Sequence, residues 1–373
     1  MRLLHTADWQ IGKVFANIPG DPGAVLRHQR LRTVAAIAEL ARERQVDAVL
    51  VAGDVFETNT VGDETLARTL EAMRGYPGPW VLLPGNHDAA LAESVWKRLQ
   101  RHGLPANVHL ALEPAPLVLT DGRLAVLPAP LTRRHESYDL TEAFDTMETP
   151  PGAIRVGLAH GAVENRLPAE AESYNPISDR RAVSARLDYL ALGDWHGTLE
   201  IAERTWYAGT PEPDRFRNND AGNVLLVEIA APGAPPKVER IAVGHFRWRS
   251  LEFAVNGVED LTALDAALSA LGEPYDRLVV ELTLRGTIGL AERRELDQRL
   301  QRWSARCHYL RLDDSRLIPQ ASDADLDQIS ATGFLQDALA RLRAIQNDPT
   351  HPDQALAAPA LQRLYTEYLN TRS

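Results

Sequence analysis

One pattern recurs along this chain and restricts its fold more than any other: a short apolar run that ends in polar groups. Val81-Leu82-Leu83 runs into Pro84-Gly85-Asn86-His87-Asp88. The apolar residues read as the end of a buried strand, and Pro-Gly turns the chain sharply beyond it. Asn86 offers a carbonyl oxygen to a metal, and His87 can carry or release a proton near neutral pH. Arg2 to Thr6 is a similar strand ending in Ala7-Asp8-Trp9-Gln10, and Val46 to Ala52 is another, ending in Gly53-Asp54. Ile154 to Ala159 leads to His160-Gly161, and Leu187 to Leu192 leads to Gly193-Asp194-Trp195-His196. Open α/β sheets handle ligands at the carboxyl ends of their strands, so these groups point to one sheet edge.

Helices are predicted between the strands. Leu31, Val34, Ile37, Ala38 and Ala41 fall at helical spacing in a helix from about Val25 to Arg44, after a Gly/Pro-rich loop. A second helix is predicted around Asp63 to Arg74. From Asn107 to Pro130, short strands with turn signals suggest an antiparallel part of the sheet or a second sheet. Asn223 to Ile229 and Lys237 to Val243 predict a hairpin. The whole is the pattern of a layered α/β enzyme.

A boundary is expected near residue 245, with residues 1–245 forming the catalytic domain. Residues 246–320 then read as a small α/β domain, with strands at Arg249 to Val255, Arg277 to Leu284 and His308 to Leu312. Helices from Leu261 to Leu271 and from Leu290 to Arg302 alternate with them. Residues 321–373 read as a helical C-terminal segment with two apolar stripes. One comprises Phe334, Leu335, Leu339, Leu342 and Ile345; the other comprises Leu361, Leu364, Tyr365, Tyr368 and Leu369.

Composition narrows the class. With 45% hydrophobic and 24% charged residues, the chain has the balance of a soluble globular protein. No apolar run approaches membrane-spanning length, and Met1 to His5 lacks the apolar core of a signal peptide. The single cysteine, Cys307, excludes an intrachain disulfide framework and a thiolate metal cage, so a cytoplasmic location is expected. A net charge of −11 argues against passive adhesion to nucleic acid. It leaves room for an enzyme that grips a phosphodiester through metal ions and a few local arginines.

The strand-end groups are Asp8, Gln10, Asp54, Asn86, His87, His160, Asp194 and His196. Carboxylates, an amide oxygen and imidazoles without thiolates suit a pair of divalent ions such as manganese or magnesium. Two such ions roughly 3.5–4 Å apart recur in displacement at phosphorus, where both neutralise the phosphate and a hydroxide attacks in line.

In this order the motifs resemble those of the calcineurin-like metallophosphoesterases. Within them, His5-Thr6-Ala7-Asp8, Gly53-Asp54-Val55-Phe56 and Tyr207-Ala208-Gly209-Thr210-Pro211 look most like the SbcD-type DNA-repair nucleases. The resemblance implies a four-layer α/β sandwich with metals at its sheet edge and a small capping domain. By position, Asp8, Gln10 and His196 would take a first metal, Asn86, His160 and Asp194 a second, and Asp54 would bridge them. His87 would act on the leaving oxygen as general acid, with Asp88 the nearest carboxylate to keep it protonated. Gln10 and Asp194 depart from the family pattern, which has histidines there; both can still offer oxygen, and the richer oxygen set favours manganese over zinc.

The function expected on this resemblance is a two-metal phosphodiesterase acting on DNA, as an exonuclease or endonuclease in repair or end processing. Basic groups available for backbone phosphates are Arg27, Arg30 and Arg32, with Arg133, Arg134, Arg180, Arg181, Arg215 and Arg217. Two alternatives are a phosphoesterase for a small nucleotide or phosphoprotein, and a non-catalytic DNA-end or scaffold protein. The C-terminal stripes are expected either to dock on a coiled-coil ATPase of the SbcC type or to pack on the chain itself. A homodimer is also compatible with this reading.

Overall fold

Alternation along single strands decides the layering. In β1 (Arg2–Thr6), Leu4 enters one core and Leu3 the opposite one. In β2 (Ala48–Val51), Val49 and Val51 go with Leu4, and Ala48 and Leu50 with Leu3. In β3 (Trp80–Leu82), Trp80 and Leu82 share the first core, while Val81 faces the second. Strands apolar on both faces belong inside a layered sheet, and the apolar residues of these three are fully buried.

The computed structural model describes residues 1–167, 174–320 and 333–370. It divides into two compact units, Met1–Arg247 and Trp248–Ser373. In the first unit, β1, β2, β3 and β4 (Val108–Leu110) run parallel. The hairpin of β13 (Asn223–Glu228) and β14 (Lys237–Ala242) extends that sheet antiparallel to β1. A second sheet has the order β11-β12-β10-β7-β6-β5. Its members are β5 (Leu117–Leu119), β6 (Leu124–Ala129), β7 (Ile154–His160), β10 (Tyr189–Gly193), β11 (Leu199–Ala202) and β12 (Thr205–Tyr207). A short pair, β8 (Ala162–Val163) and β9 (Pro176–Ile177), follows β7.

Helices α1 (Asp21–Glu43), α2 (Asp63–Met73) and α3 (Val95–His102) cover the outer face of the first sheet. Val34 and Ile37, Leu66 and Met73, and Trp96 and Leu99 are their contributions to that core. Leu50, Val81, Val126, Leu158 and Tyr189 fill the space between the sheets. The outer face of the second sheet is covered more thinly, by Phe144 from a 3-10 turn and Ala182 from α4 (Arg181–Ser184). The result is a four-layer α/β sandwich.

The element edges depart from expectation for identifiable reasons. Helix α1 begins at Asp21, because Pro22 sits in the first turn, where no amide hydrogen bond is lost. The stretch from Asn107 to Pro130 mixes both arrangements. Val108–Leu110 is a parallel edge strand, whereas Leu117–Leu119 and Leu124–Ala129 pair antiparallel in the other sheet. Helix α3 has no counterpart among the helices expected from the sequence.

The second unit holds a sheet of order β15-β16-β17, formed by β15 (Arg247–Val255), β16 (Leu278–Gly289) and β17 (Tyr309–Gln320). Helices α5 (Val258–Ser269) and α6 (Leu290–Arg306) connect them. Strand β16 runs past the expected end at Leu284, because a bulge between Thr283 and Arg285 lets it continue through Gly286 (φ 116°). The helical segment expected from Ser322 falls first on residues 321–332, outside the described residues. Beyond them, α7 (Phe334–Gln346) and α8 (Gln354–Asn370) pair their stripes with each other: Leu339 and Leu342 meet Leu361, Leu364 and Tyr365. Phe334 is left 82% exposed, outside that pairing.

Candidate metal centre

Parallel pairing brings the carboxyl ends of β1, β2 and β3 to one edge, and β7 and β10 end together in the facing sheet. The loops beyond are tied to one another by backbone. Asp8 donates its amide to the Gly53 carbonyl at 3.1 Å, and Gln10 donates to that of Asp54 at 2.8 Å. Asp8, Gln10, Asp54 and Asp194 all have positive φ, from 43° to 101°. Such conformations cost stability and cluster at functional sites, where the surroundings hold them. Gly53 (φ 88°) is required for space as well, since a Cβ there would lie 2.2 Å from His160 Nδ1.

His160 is the hub. Its Nδ1 donates to the Ala52 carbonyl at 2.8 Å, which leaves the Nε2 lone pair for the site. Around Nε2 stand Asn86 Oδ1 at 3.1 Å, Asp54 Oδ1 at 3.5 Å and Asp194 Oδ1 at 3.6 Å. Asp8 Oδ1 accepts from the Asp194 amide at 3.1 Å, and its other oxygen, Oδ2, is buried without a hydrogen-bond partner. Donor atoms of Asp8, Asp54 and His160 lie within 4.8 Å of one another, all buried.

This concentration of acceptors needs positive charge. Burial, with neighbouring carboxylates, pushes Asp194 up to about 7, and burial raises Asp8 as well. Burial alone lowers His160, but Asp54, Asp194 and Asp8 outweigh it and push the imidazole up to about 9. An orphaned carboxylate oxygen beside an oxygen-rich set with one imidazole is a fitting cradle for a hard divalent cation.

The flank holding Gln10 and His196 is built differently. Lys13 Nζ donates to Gln10 Oε1 at 3.0 Å and pairs with Asp214 at 3.1 Å and Glu57 at 3.5 Å. The Gln10 side-chain nitrogen faces His196 Nε2 at 3.2 Å. The Gln10 carbonyl, expected to offer oxygen to a metal, here accepts from an ammonium. Asp214 lies 3.4 Å from His196 Nδ1. Burial alone would raise its carboxyl, yet His196, Arg215 and Lys13 hold it well below the usual range.

His87 sits at the rim of an open cleft of about 330 Å³, also lined by Asp54, Asn86, Asp194 and His196. Its amide donates to Asp54 Oδ1 at 2.9 Å, and its Nδ1 to the Glu57 carbonyl at 3.0 Å, which directs Nε2 to the cleft. Asp88 does not serve it. Both Asp88 oxygens are taken by backbone amides, Gly85 at 2.7 Å and Phe56 at 3.0 Å, so this buried carboxylate ties the Pro-Gly turn to the neighbouring loop. Burial, with Asp54 adding to it, pushes Asp88 up to about 8.

The arginines separate. Arg134, Arg215 and Arg217 line the cleft beside Trp195 and Asn219. Arg27, Arg32 and Arg180 are not among its lining residues. Arg133 pairs with Glu136 at 2.7 Å. Arg181 is buried between Asp139 and Asp145, at 2.9 and 3.0 Å, and clamps the outer layer. Arg30 is a buried strut that donates to the carbonyls of Asp8, Trp9 and Glu212 and to Thr210 Oγ1. Arg30 and Arg181 are thus structural, against the expectation of phosphate contact. Lys13, Glu57 and Asp214 were not among the residues expected from the sequence. For Asp214 the available signal was the proline-braced Glu212-Pro213-Asp214, just past a quoted motif.

The family profile described as calcineurin-like phosphoesterase matches residues 1–180. The chain is similar to the SbcD component of the nuclease SbcCD from Bacillus subtilis (strain 168), with 23% identity over 301 residues, 70% of this chain and 74% of that one. The SbcD protein of Rhodobacter capsulatus is 34% identical over 283 residues, 63% of this chain and 68% of that one. The SbcD protein of Escherichia coli (strain K12) is 38% identical over 101 residues, 25% of this chain and 23% of that one.

Proposed function

The chain belongs to the calcineurin-like metallophosphoesterases, in the branch of the SbcD-type nucleases, and from that premise we propose that it hydrolyses phosphodiester bonds of DNA. The observation that carries the reading is the convergence of Asp54, Asn86, His160 and Asp194 on one point below a cleft walled by Arg134, Arg215 and Arg217. A divalent cation, manganese by the oxygen-rich donor set, would be held by these groups with Asp8 and would neutralise phosphate charge while polarising the phosphorus centre.

The remaining work falls to the protein. The Glu57 carbonyl holds His87 so that Nε2 can pass a proton to the leaving oxygen. Guanidiniums along the wall suit phosphates flanking the scissile bond, Arg134 and Arg217 beside an Arg215 already paired with Asp214 at 3.0 Å. Phe334 and the neighbouring face of the α7–α8 hairpin are the proposed contact for a coiled-coil ATPase of the SbcC type. A cytoplasmic location fits; among the described residues no helix is long and apolar enough to cross a membrane.

Comparison of an oligonucleotide with a small aryl phosphodiester tests the substrate. The oligonucleotide should give the higher kcat/KM, and Arg134→Ala should raise its KM while leaving the small ester unaffected. Equal efficiency on both substrates would favour a small-molecule phosphoesterase.

A further inference from the structure

The side chains that two-metal chemistry would assign to the first ion already bond to one another and to a lysine. An ammonium has donors and no acceptor. Lys13 therefore fixes which way the Gln10 amide points: Oε1 toward Nζ at 3.0 Å, and the NH2 group toward His196 Nε2 at 3.2 Å. Flipping the amide would set NH2 hydrogens against the ammonium. That NH2 faces His196 Nε2, while His196 Nδ1 is approached by the Arg215 guanidinium at 3.0 Å and stands 3.4 Å from Asp214. Both groups expected to ligate the first ion are thus engaged by other side chains of the protein.

Charge argues the same way. The Lys13 side chain is 18% exposed and is held by Asp214 at 3.1 Å and Glu57 at 3.5 Å. A divalent cation beside Gln10 and His196 would meet amide hydrogens and a fixed positive charge. The opposite flank has the reverse character, with Asn86, Asp54 and Asp194 oxygens around His160 Nε2 and the unpartnered Asp8 Oδ2.

We infer that this chain holds a single divalent ion, on Asp54, Asn86, His160 and Asp194 with Asp8, and that the Lys13–Gln10 pair replaces the second. Lys13 then supplies the positive charge that the missing ion would bring, and His196 is a hydrogen-bonded wall of the site. The inference rests on the metal-dependent reading above.

Manganese titration of the full chain after chelator stripping, followed by equilibrium dialysis with elemental analysis and by electron paramagnetic resonance, tests it independently of turnover. The unaltered protein should saturate at one manganese per chain with the spectrum of an isolated ion. The double variant Lys13→Met with Gln10→His should take up a second ion and show exchange coupling between neighbouring ions. Gln10→His alone, with Lys13 in place, should remain near one ion, which guards against misfolding of the double variant. Two coupled ions in the unaltered chain would overturn the inference and leave metal dependence intact. No bound ion would overturn both.

Discussion

His87 and Asp88 are neighbours in sequence and differ in what they touch. The imidazole is open to the cleft through Nε2, while the carboxylate is buried against two backbone amides. His87→Ala should lower turnover by roughly 10²–10⁴-fold with bound metal unchanged, as expected for loss of a proton donor. Metal analysis beside the rate decides it, since parallel loss of both would make His87 a ligand. Asp88→Ala should act on stability, leaving two buried amides unpaired at about 1–3 kcal/mol each. A second residue-scale test concerns His5, buried in β1 between Tyr189 Oη at 2.9 Å and the Leu192 carbonyl at 3.1 Å. Burial lowers its pKa from 6.5 to about 3, the Leu192 carbonyl offsetting this only in part. The unfolded chain takes up a proton below 6.5 and the folded chain does not until about 3, so the unfolded state gains as pH falls through this window. This group alone should cost about 1.4 kcal/mol of stability per pH unit there, with its full contribution present above 6.5. Urea unfolding at pH 7 and pH 5 should show a shallower loss for His5→Gln than for the unaltered protein.

At the scale of elements, the C-terminal hairpin carries its own prediction. Because α7 and α8 pair their stripes with each other, the proposed partner surface is reduced to what that pairing leaves, including Phe334. Deletion from residue 325 onward should leave a folded, active protein that no longer retains an SbcC-type ATPase in a pull-down. A truncated chain that aggregates would show instead that the hairpin supports the second unit. The strands and their polar ends were legible in the sequence because both rest on local patterns, apolar alternation and the residues just after it. The departures arise where pairing is distant. Arg30 looks like a surface cation until folding places it against Glu212, 182 residues away. The environment of Gln10 was not legible either, because Asp214 returns from far along the chain to hold the lysine that meets its carbonyl. Asp88 escapes a local reading because sequence adjacency says nothing about where a carboxylate turns after a Pro-Gly bend. Strand β16 runs longer than expected because a bulge at Thr283 to Arg285 carries the pairing past Leu284.

At the scale of the whole molecule, an acidic chain is proposed to act on a polyanion. The net charge of −11 repels DNA at long range, so binding must come from the cation in the site and the few guanidiniums along the cleft. Cleavage should therefore depend on salt only modestly, as expected for a small number of phosphate contacts. The most direct test of the central claim is cleavage of end-labelled single- and double-stranded DNA by the chelator-stripped chain as manganese, magnesium or zinc is added back. The account predicts cleavage with manganese, less with magnesium, little with zinc and none in chelator, with His87→Ala strongly impaired in every case. Undiminished cleavage in chelator, or none with any ion while small phosphodiesters are hydrolysed, would contradict it.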